Sequence, residues 1–256
     1  MISVPFFSVI VNTHNNEDTI RRTLNSVIYQ TFSNFELVIV DDASSDATVN
    51  IVKKILNKYK GKGNVIELKN NTGISNARNI GVTYSRGKYI AFLDGDDLWE
   101  KNKLEIQHSF LSNNLINWIF SNYSVINEEY IKLGNRCRKE GVYDYKSIIN
   151  NGNPVGMLTV VLKRELLIAT PFRNVRHEDY DLWIRLAKKG VIGYLQPNIL
   201  GEYMKHKKSI SSNKFNSILW TYGVFRSNKI NVFKSIWLVF KYINNYFNRK
   251  NNEVEK

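Results

Sequence analysis

One cysteine, Cys137, stands in 256 residues. A lone thiol excludes an internal disulfide framework and cannot by itself form a thiolate zinc site, so the composition fits a reducing cytoplasm. Any run of about 18 apolar residues, the span of a bilayer-crossing helix, is also missing, and no transmembrane segment is expected. The opening MISVPFFSVIVN lacks a basic n-region and flows directly into a strand pattern, which reads as no signal peptide. Neither G-x-G-x-x-G nor G-x-x-x-x-G-K-[ST] occurs, which excludes a Rossmann dinucleotide turn and a P-loop. Acids are scarce at the C-terminal end. From Tyr203 to Lys256 there are 11 Lys/Arg against 2 acids, so most of the formal net charge of +13 lies there. Nucleic acid and an anionic membrane surface both suit such a tail, and charge does not choose between them.

What is present is globular: 43% hydrophobic residues with 12% aromatics. The length permits one large domain, or one domain with an appendage. Phe7 to Val11 is a continuous apolar run, followed by a helical pattern over Glu17 to Tyr29 with Ile20, Leu24 and Val27 in phase. Phe35 to Val40 repeats the strand and ends in Asp41-Asp42. Small polar residues at 43–46 then suit an N-cap before a helix through Ile51, Val52, Ile55 and Leu56. A third strand, Asn64 to Leu68, passes through Asn71-Thr72-Gly73 to a helix near Ser75 to Tyr84. Four strand-helix alternations predict a parallel, doubly wound sheet with its loops on one edge. Asn12-Thr13-His14, Asp41-Asp42, Asn71 to Arg78 and Asp94 to Asp97 should share that carboxyl edge, where ligands bind.

The fourth strand, Tyr89 to Leu93, ends in FLDGDDLW. Three carboxylates at a strand end, Asp94, Asp96 and Asp97, suit a hard divalent cation bridging to a phosphate-bearing ligand, and equally an acidic turn. Beyond a helix at Leu104 to Leu111 the pattern turns mixed: strands are expected at Asn117 to Ile126, Glu129 to Leu133 and Pro154 to Leu162, then a helix in RHEDYDLWIRLAKKG with its stop at Gly190. Acids in that helix's first turn also suit the helix dipole. A pair of strands around Pro197 delivers Lys205, His206, Lys207 and Lys208 to a serine-containing loop. Two helices close the chain, with Phe233, Ile236, Trp237, Phe240 and Phe247 at helical spacing. That stripe suits either core packing or a membrane surface.

Together, SVIVNTHNNEDTIRRTLNSVIYQTFSNFELVIVDDASSDAT, NNTGISNARNIGVTYSRGKYIAFLDGDD and HEDYDLWIRL resemble, in order and spacing, the blocks of glycosyltransferase family 2 over about residues 6 to 212. The resemblance implies an inverting enzyme of GT-A fold: a mostly parallel α/β sheet, a mixed C-terminal half and C-terminal helices. It implies a catalytic domain at 1–212, with 1–98 binding nucleotide and 99–212 facing the acceptor, and a basic aromatic appendage at 213–256. The donor is a UDP-sugar. Asp42 holds the uracil-type base with Asp41 beside it, Asn12, Thr13 and His14 line the nucleoside pocket, and Arg78 reaches base or phosphate. Family members commonly have proline at the position of Asn12, which leaves the shape of that strand end open. Asp94 and Gly95 approach the ribose, and Asp96, with Asp94 and His206, ligates Mn²⁺ or Mg²⁺. Asp97 is either a further ligand or a helix-start acid. Asp179 is the base that deprotonates the acceptor hydroxyl, with Glu178 in support. Trp183 packs or stacks on an acceptor sugar. The basic aromatic tail suggests an acceptor met at the cytoplasmic face of the inner membrane, a polyprenyl-diphosphate-linked saccharide of O-antigen or capsule synthesis. A metal-dependent nucleotidyltransferase is the alternative. A nucleic-acid-binding role is disfavoured, because the carboxylate-tipped strand ends would repel a phosphate backbone.

Overall fold

The computed structural model describes residues 4–59, 63–113, 115–206 and 214–254. Lys207, Lys208 and the serines at 209, 211 and 212 of the basic loop lie outside the described residues. The first half alternates strand and helix: β1 (Phe7–Thr13), α1 (Ile20–Ile28), β2 (Phe35–Asp41), α2 (Thr48–Lys58), β3 (Gly63–Glu67), α3 (Ile74–Tyr84) and β4 (Tyr89–Asp94). The four strands pair in parallel in the spatial order β3-β2-β1-β4. Parallel strands need helical crossovers, and these helices cover both faces of the sheet.

The second half is mixed, as expected. It comprises β5 (Leu98–Trp99), α4 (Lys103–Asn113), β6 (Trp118–Asn127), β7 (Lys132–Arg136), β8 (Gly141–Tyr143), α5 (Tyr145–Asn151), a 3₁₀ turn (Met157–Thr159), β9 (Val161–Lys163), α6 (Arg164–Ala169), α7 (Glu178–Lys188), β10 (Gly193–Lys205), α8 (Lys214–Ser227) and α9 (Val232–Val254). The sheet continues through β9, β6, β10 and β5, with β7 paired to β6 and β8 to β10. Two expectations are corrected here. Pro154 to Leu162 is not one strand: the chain turns through Met157–Thr159, and only Val161–Lys163 pairs, antiparallel to β4 and β6. The pair of strands around Pro197 is one 13-residue strand, β10, whose register on β6 slips twice between Gln196 and Glu202. Pro197 has no N–H for a ladder bond, and irregular pairing lets a strand absorb it.

Side-chain alternation divides the core. Phe7, Val9 and Val11 of β1, with Tyr89, Ala91 and Leu93 of β4, pack with α1, α2 and α4. Ile10, Ile90 and Phe92 point the other way, into a cluster with α3, α5, α7 and the tail helices. Trp183 belongs to this second cluster, fully buried and stacked on Trp118 at 5.1 Å, so it packs and does not face an acceptor. Gly81 lets α3 sit close on β1, since a Cβ there would lie 2.5 Å from Ile10.

The tail helices share this core through Val224, Phe225, Ile230 and Leu238. The stripe singled out in the sequence is not the packed face. Phe233 is 87% exposed and Phe240 67%, and Ile236 and Trp237 are exposed as well; the side chain of Phe247 lies outside the described residues. Asp181, the third acid of the α7 turn, anchors the tail. Fully buried, it accepts from Arg185 Nε at 2.7 Å and from Asn228 Nδ2, in the α8–α9 turn, at 2.8 Å. Removing one partner of a buried pair leaves the other uncompensated. Asp181→Ala is therefore expected to lower the unfolding free energy by about 3–5 kcal/mol in denaturant melts, and a loss under about 1 kcal/mol would contradict this anchoring.

Candidate active site

The loops expected on one edge meet there. Thr13 Oγ1 donates to Asp41 Oδ2 at 2.8 Å, and the N–H and hydroxyl of Ser44 also bind Asp41, so this buried acid locks its own turn. Asp42 reaches across to the next loop, accepting from the N–H and hydroxyl of Thr72 at 2.7 and 2.9 Å and from Gly73 N–H at 2.8 Å. His14 Nδ1 lies 2.8 Å from the Asp42 carbonyl oxygen, and Asn71 Nδ2 lies 3.2 Å from His14 Nε2. Asn12 is buried, and neither end of its side-chain amide has a partner among the described residues. A buried amide left unsatisfied costs free energy, so each such group calls for an explanation.

Strand parity places Asp94 with Ile90 and Phe92, on the face covered by α3 and α7. Arg78 of α3 lies buried between them, its side chain 4% exposed. Its Nη2 donates to both oxygens of Asp94 at 3.0 and 3.1 Å, and its Nη1 donates to Glu178 Oε1 at 2.6 Å. Asp94 and Glu178 more than offset the burial of the guanidinium, so it stays charged at every accessible pH. One arginine thus joins the end of β4 to the start of α7.

The Asp94–Asp97 loop splits into three roles. Gly95 is required by close approach: a Cβ would lie 2.6 Å from Asn16 Oδ1, and its carbonyl accepts from Thr19 and Thr23 of the α1 region. Asp96 Oδ2 lies 2.7 Å from His206 Nε2, and His206 Nδ1 lies 3.3 Å from Glu128 Oε1. Burial, then the neighbouring Asp94 charge, push Asp96 above the usual carboxylate range, against the pull of His206. Asp97 is buried and accepts from Met204 N–H at 2.8 Å, tying the loop to β10, and it is followed by β5, so it does not start a helix. Among the described residues no three His, Cys, Asp or Glu side chains form a metal cage. A carboxylate and an imidazole side by side are nevertheless donor types that would suit a Mn²⁺ or Mg²⁺.

Asp94, Asp97, Arg78, Glu178 and Asp179 line one cavity of about 380 Å³. Asn12, Thr13, His14, Asp41, Asp42, Gly95, Asp96 and His206 lie outside its lining, along the sheet edge. Asp179 Oδ2 accepts from Asn153 Nδ2 at 2.7 Å, and its other oxygen accepts from Tyr180 N–H. Burial, then the adjacent Glu178 charge, raise its pKa to about 6 despite Arg78 and these hydrogen bonds. That is where a general base is effective near neutrality. His177 precedes α7 in the left-handed region at φ 54° and joins the lining. Tyr123, Arg136, Arg138, Asn153 and Gly156 also line the cavity. The sequence marked none of these, since none belongs to a local motif: Tyr123 and Arg136 lie on β6 and β7, and Arg138, Asn153 and Gly156 on irregular connections.

The profile of Glycosyl transferase family 2 matches residues 8–155. The chain belongs to glycosyltransferase family 2. It is 35% identical over 237 residues to the Escherichia coli UDP-Glc:alpha-D-GlcNAc-diphosphoundecaprenol beta-1,3-glucosyltransferase WfgD, covering 92% of this chain and 91% of the relative. To the putative teichuronic acid biosynthesis glycosyltransferase TuaG of Bacillus subtilis it is 33% identical, covering 94% of this chain and 96% of the relative. The family 2 fold is equally plain. The S. aureus TarS 1–349 structure in complex with UDP-GlcNAc superposes with a TM-score of 0.72 at 21% identity, covering 94% of this chain and 72% of that one. The mannosyltransferase PcManGT from Pyrobaculum calidifontis in complex with GDP-Man and Mn2+ gives 0.69 at 16% identity, covering 95% and 74%. The architecture is GT-A, and the protein is a glycosyltransferase.

Because Glu178 is a cause of the raised Asp179 pKa, Glu178→Gln should lower it. Carboxyl NMR titration is expected to place the wild-type Asp179 midpoint near pH 6, protonated below and charged above, with the variant titrating at lower pH. An unmoved midpoint would exclude the coupling.

Proposed function

We propose that this glycosyltransferase moves a sugar from a UDP-sugar to a hydroxyl of a polyprenyl-diphosphate-linked saccharide in surface-polysaccharide synthesis, by one inverting displacement. The carrying observation is that Asp179, poised near pH 6, shares a cavity with Asp94 and Arg78 at the end of the nucleotide-type sheet edge. The name of WfgD supports this donor and acceptor class. In this reading the base lies along the edge near Asp42 and His14, with the unsatisfied Asn12 amide among the groups available to it. Asp94 and Gly95 lie toward the ribose, and Asp96 and His206, with Asp94 beside them, hold the metal. A bound Mn²⁺ or Mg²⁺ would neutralise charge growing on the departing diphosphate. Asn153 fixes one oxygen of Asp179, which takes the acceptor hydroxyl proton as that oxygen attacks opposite the leaving group. Glu178, held by Arg78, keeps Asp179 basic.

The chain also carries a surface suited to the compartment of such an acceptor. No helix among the described residues is long and apolar enough to cross a membrane. Phe233, Ile236, Trp237 and Phe240 are exposed on α9, Lys241 Nζ stands 4.5 Å over the Trp237 ring, and the region is strongly basic. This face rests on the cytoplasmic leaflet of the inner membrane, apolar rings in the interface and lysines against anionic headgroups.

Asp179→Asn is expected to reduce transfer by about a hundredfold or more while UDP still binds; unchanged turnover rules out this base. The product assay should detect UDP, and pyrophosphate release would contradict glycosyl transfer. Phe233→Glu with Trp237→Glu, both at exposed positions, should weaken cosedimentation with phosphatidylglycerol vesicles. Equal binding by wild type and variant would remove the membrane contact.

A further inference from the structure

The cavity holding Asp179 is lined by groups of both charges. Asp94, Asp97, Glu178 and Asp179 are among them, and so are Arg78, Arg136 and Arg138. Asp94 and Glu178 draw their positive charge from Arg78. Arg136 stands across the β6–β7 ladder from Tyr123. Arg138 is fixed by its backbone N–H on Asn122 Oδ1 at 2.8 Å, and its Nη2 lies 3.5 Å from the Asn153 carbonyl oxygen. Tyr123, also in the lining, packs on Gly156: burial raises its phenol pKa, Arg136 and Arg138 lower it, and Asp97 and Asp179 raise it. Both guanidinium groups therefore act within electrostatic reach of the cavity.

We propose that Arg136 and Arg138 form the subsite for the acceptor's diphosphate. This rests on the lipid-linked acceptor proposed above and sharpens it. Guanidinium groups match phosphate oxygens with paired donors, and two of them suit a diphosphate. The donor's diphosphate belongs elsewhere, at the Asp96 and His206 corner outside this cavity. Arg138 Nη2 lies beside the Asn153 carbonyl oxygen, and Asn153 Nδ2 binds Asp179, so a single residue separates the diphosphate subsite from the base. With the diphosphate on Arg136 and Arg138 and the reacting hydroxyl at Asp179, the sugar ring that carries this hydroxyl is the one attached directly to the diphosphate. The enzyme then adds the second sugar of a chain, and the reaction that supplies its acceptor is transfer of a phosphosugar onto a lipid phosphate. His177 lines the same cavity and meets Trp220 of α8 edge-on at 5.6 Å, so the tail helices flank the side from which a lipid chain would leave.

The test is calorimetric titration of decyl diphosphate into full-length protein saturated with UDP and Mn²⁺, with decyl glucoside as the neutral control. Wild type should bind decyl diphosphate, and Arg136→Ala with Arg138→Ala should bind it about tenfold more weakly or worse, with UDP and decyl glucoside affinities unchanged. If the double variant fails to fold, Arg136→Glu alone, at an exposed position, carries the test. Equal binding of decyl diphosphate by wild type and variant, or none by wild type, overturns the subsite. A loss of UDP affinity in the variant overturns it too, by placing the arginines at the donor. Wild type that fails to bind UDP overturns the donor reading beneath it.

Discussion

Arg78 is the contact on which the site depends. It is buried, and a guanidinium taken from water is tolerated only where carboxylates surround it. Asp94 from the end of β4 and Glu178 from the start of α7 supply them, at 3.0 and 2.6 Å. The two acids come from halves of the chain far apart in sequence. Their shared cation ties the end of β4 to the start of α7, and Asp179 follows Glu178 directly. Burial of Asp179, and then the Glu178 charge that Arg78 holds beside it, raise the Asp179 pKa, while Arg78 itself lowers it.

The parallel half of the fold was legible because each strand is a short apolar run followed by a helical period, and connection rules leave few arrangements. Parity along β4 also decides which face Asp94 takes. The mixed half was less legible for physical reasons. Pro154 to Leu162 is apolar enough for a strand, yet an apolar run records burial, and the chain there is buried in a turn. Pro197 looked like a boundary between two strands, whereas irregular pairing let one strand pass through it. The candidate acids were marked by motifs, but their partners were not. Asn153 binds Asp179 from 26 residues away, and Arg138 reaches the cavity from the segment after β7. Asp97 shows the limit from the other side: its motif suggested chemistry, and one of its oxygens also holds Met204 N–H, a structural tie that no motif marks.

The tail separates two meanings of amphipathicity. A helical apolar stripe is most often core, and α9 does bury Leu238. The larger aromatics lie on another face, where they gain nothing from this fold. Asp181 and Asn228 hold the α8–α9 turn against α7, so the exposed face is presented at a fixed orientation to the cavity. Carboxylates gather along the edge of the sheet, whereas Arg136 and Arg138 of the cavity lining and the tail carry cations.

The dependence on Arg78 is measured most directly by a double-mutant cycle on unfolding free energy between Asp94→Asn and Glu178→Gln. Two acids that share one buried cation should be non-additive by about 1 kcal/mol or more. Additivity within about 0.5 kcal/mol would mean that each acid holds its own element independently, and would contradict a single brace between the donor edge and the base helix.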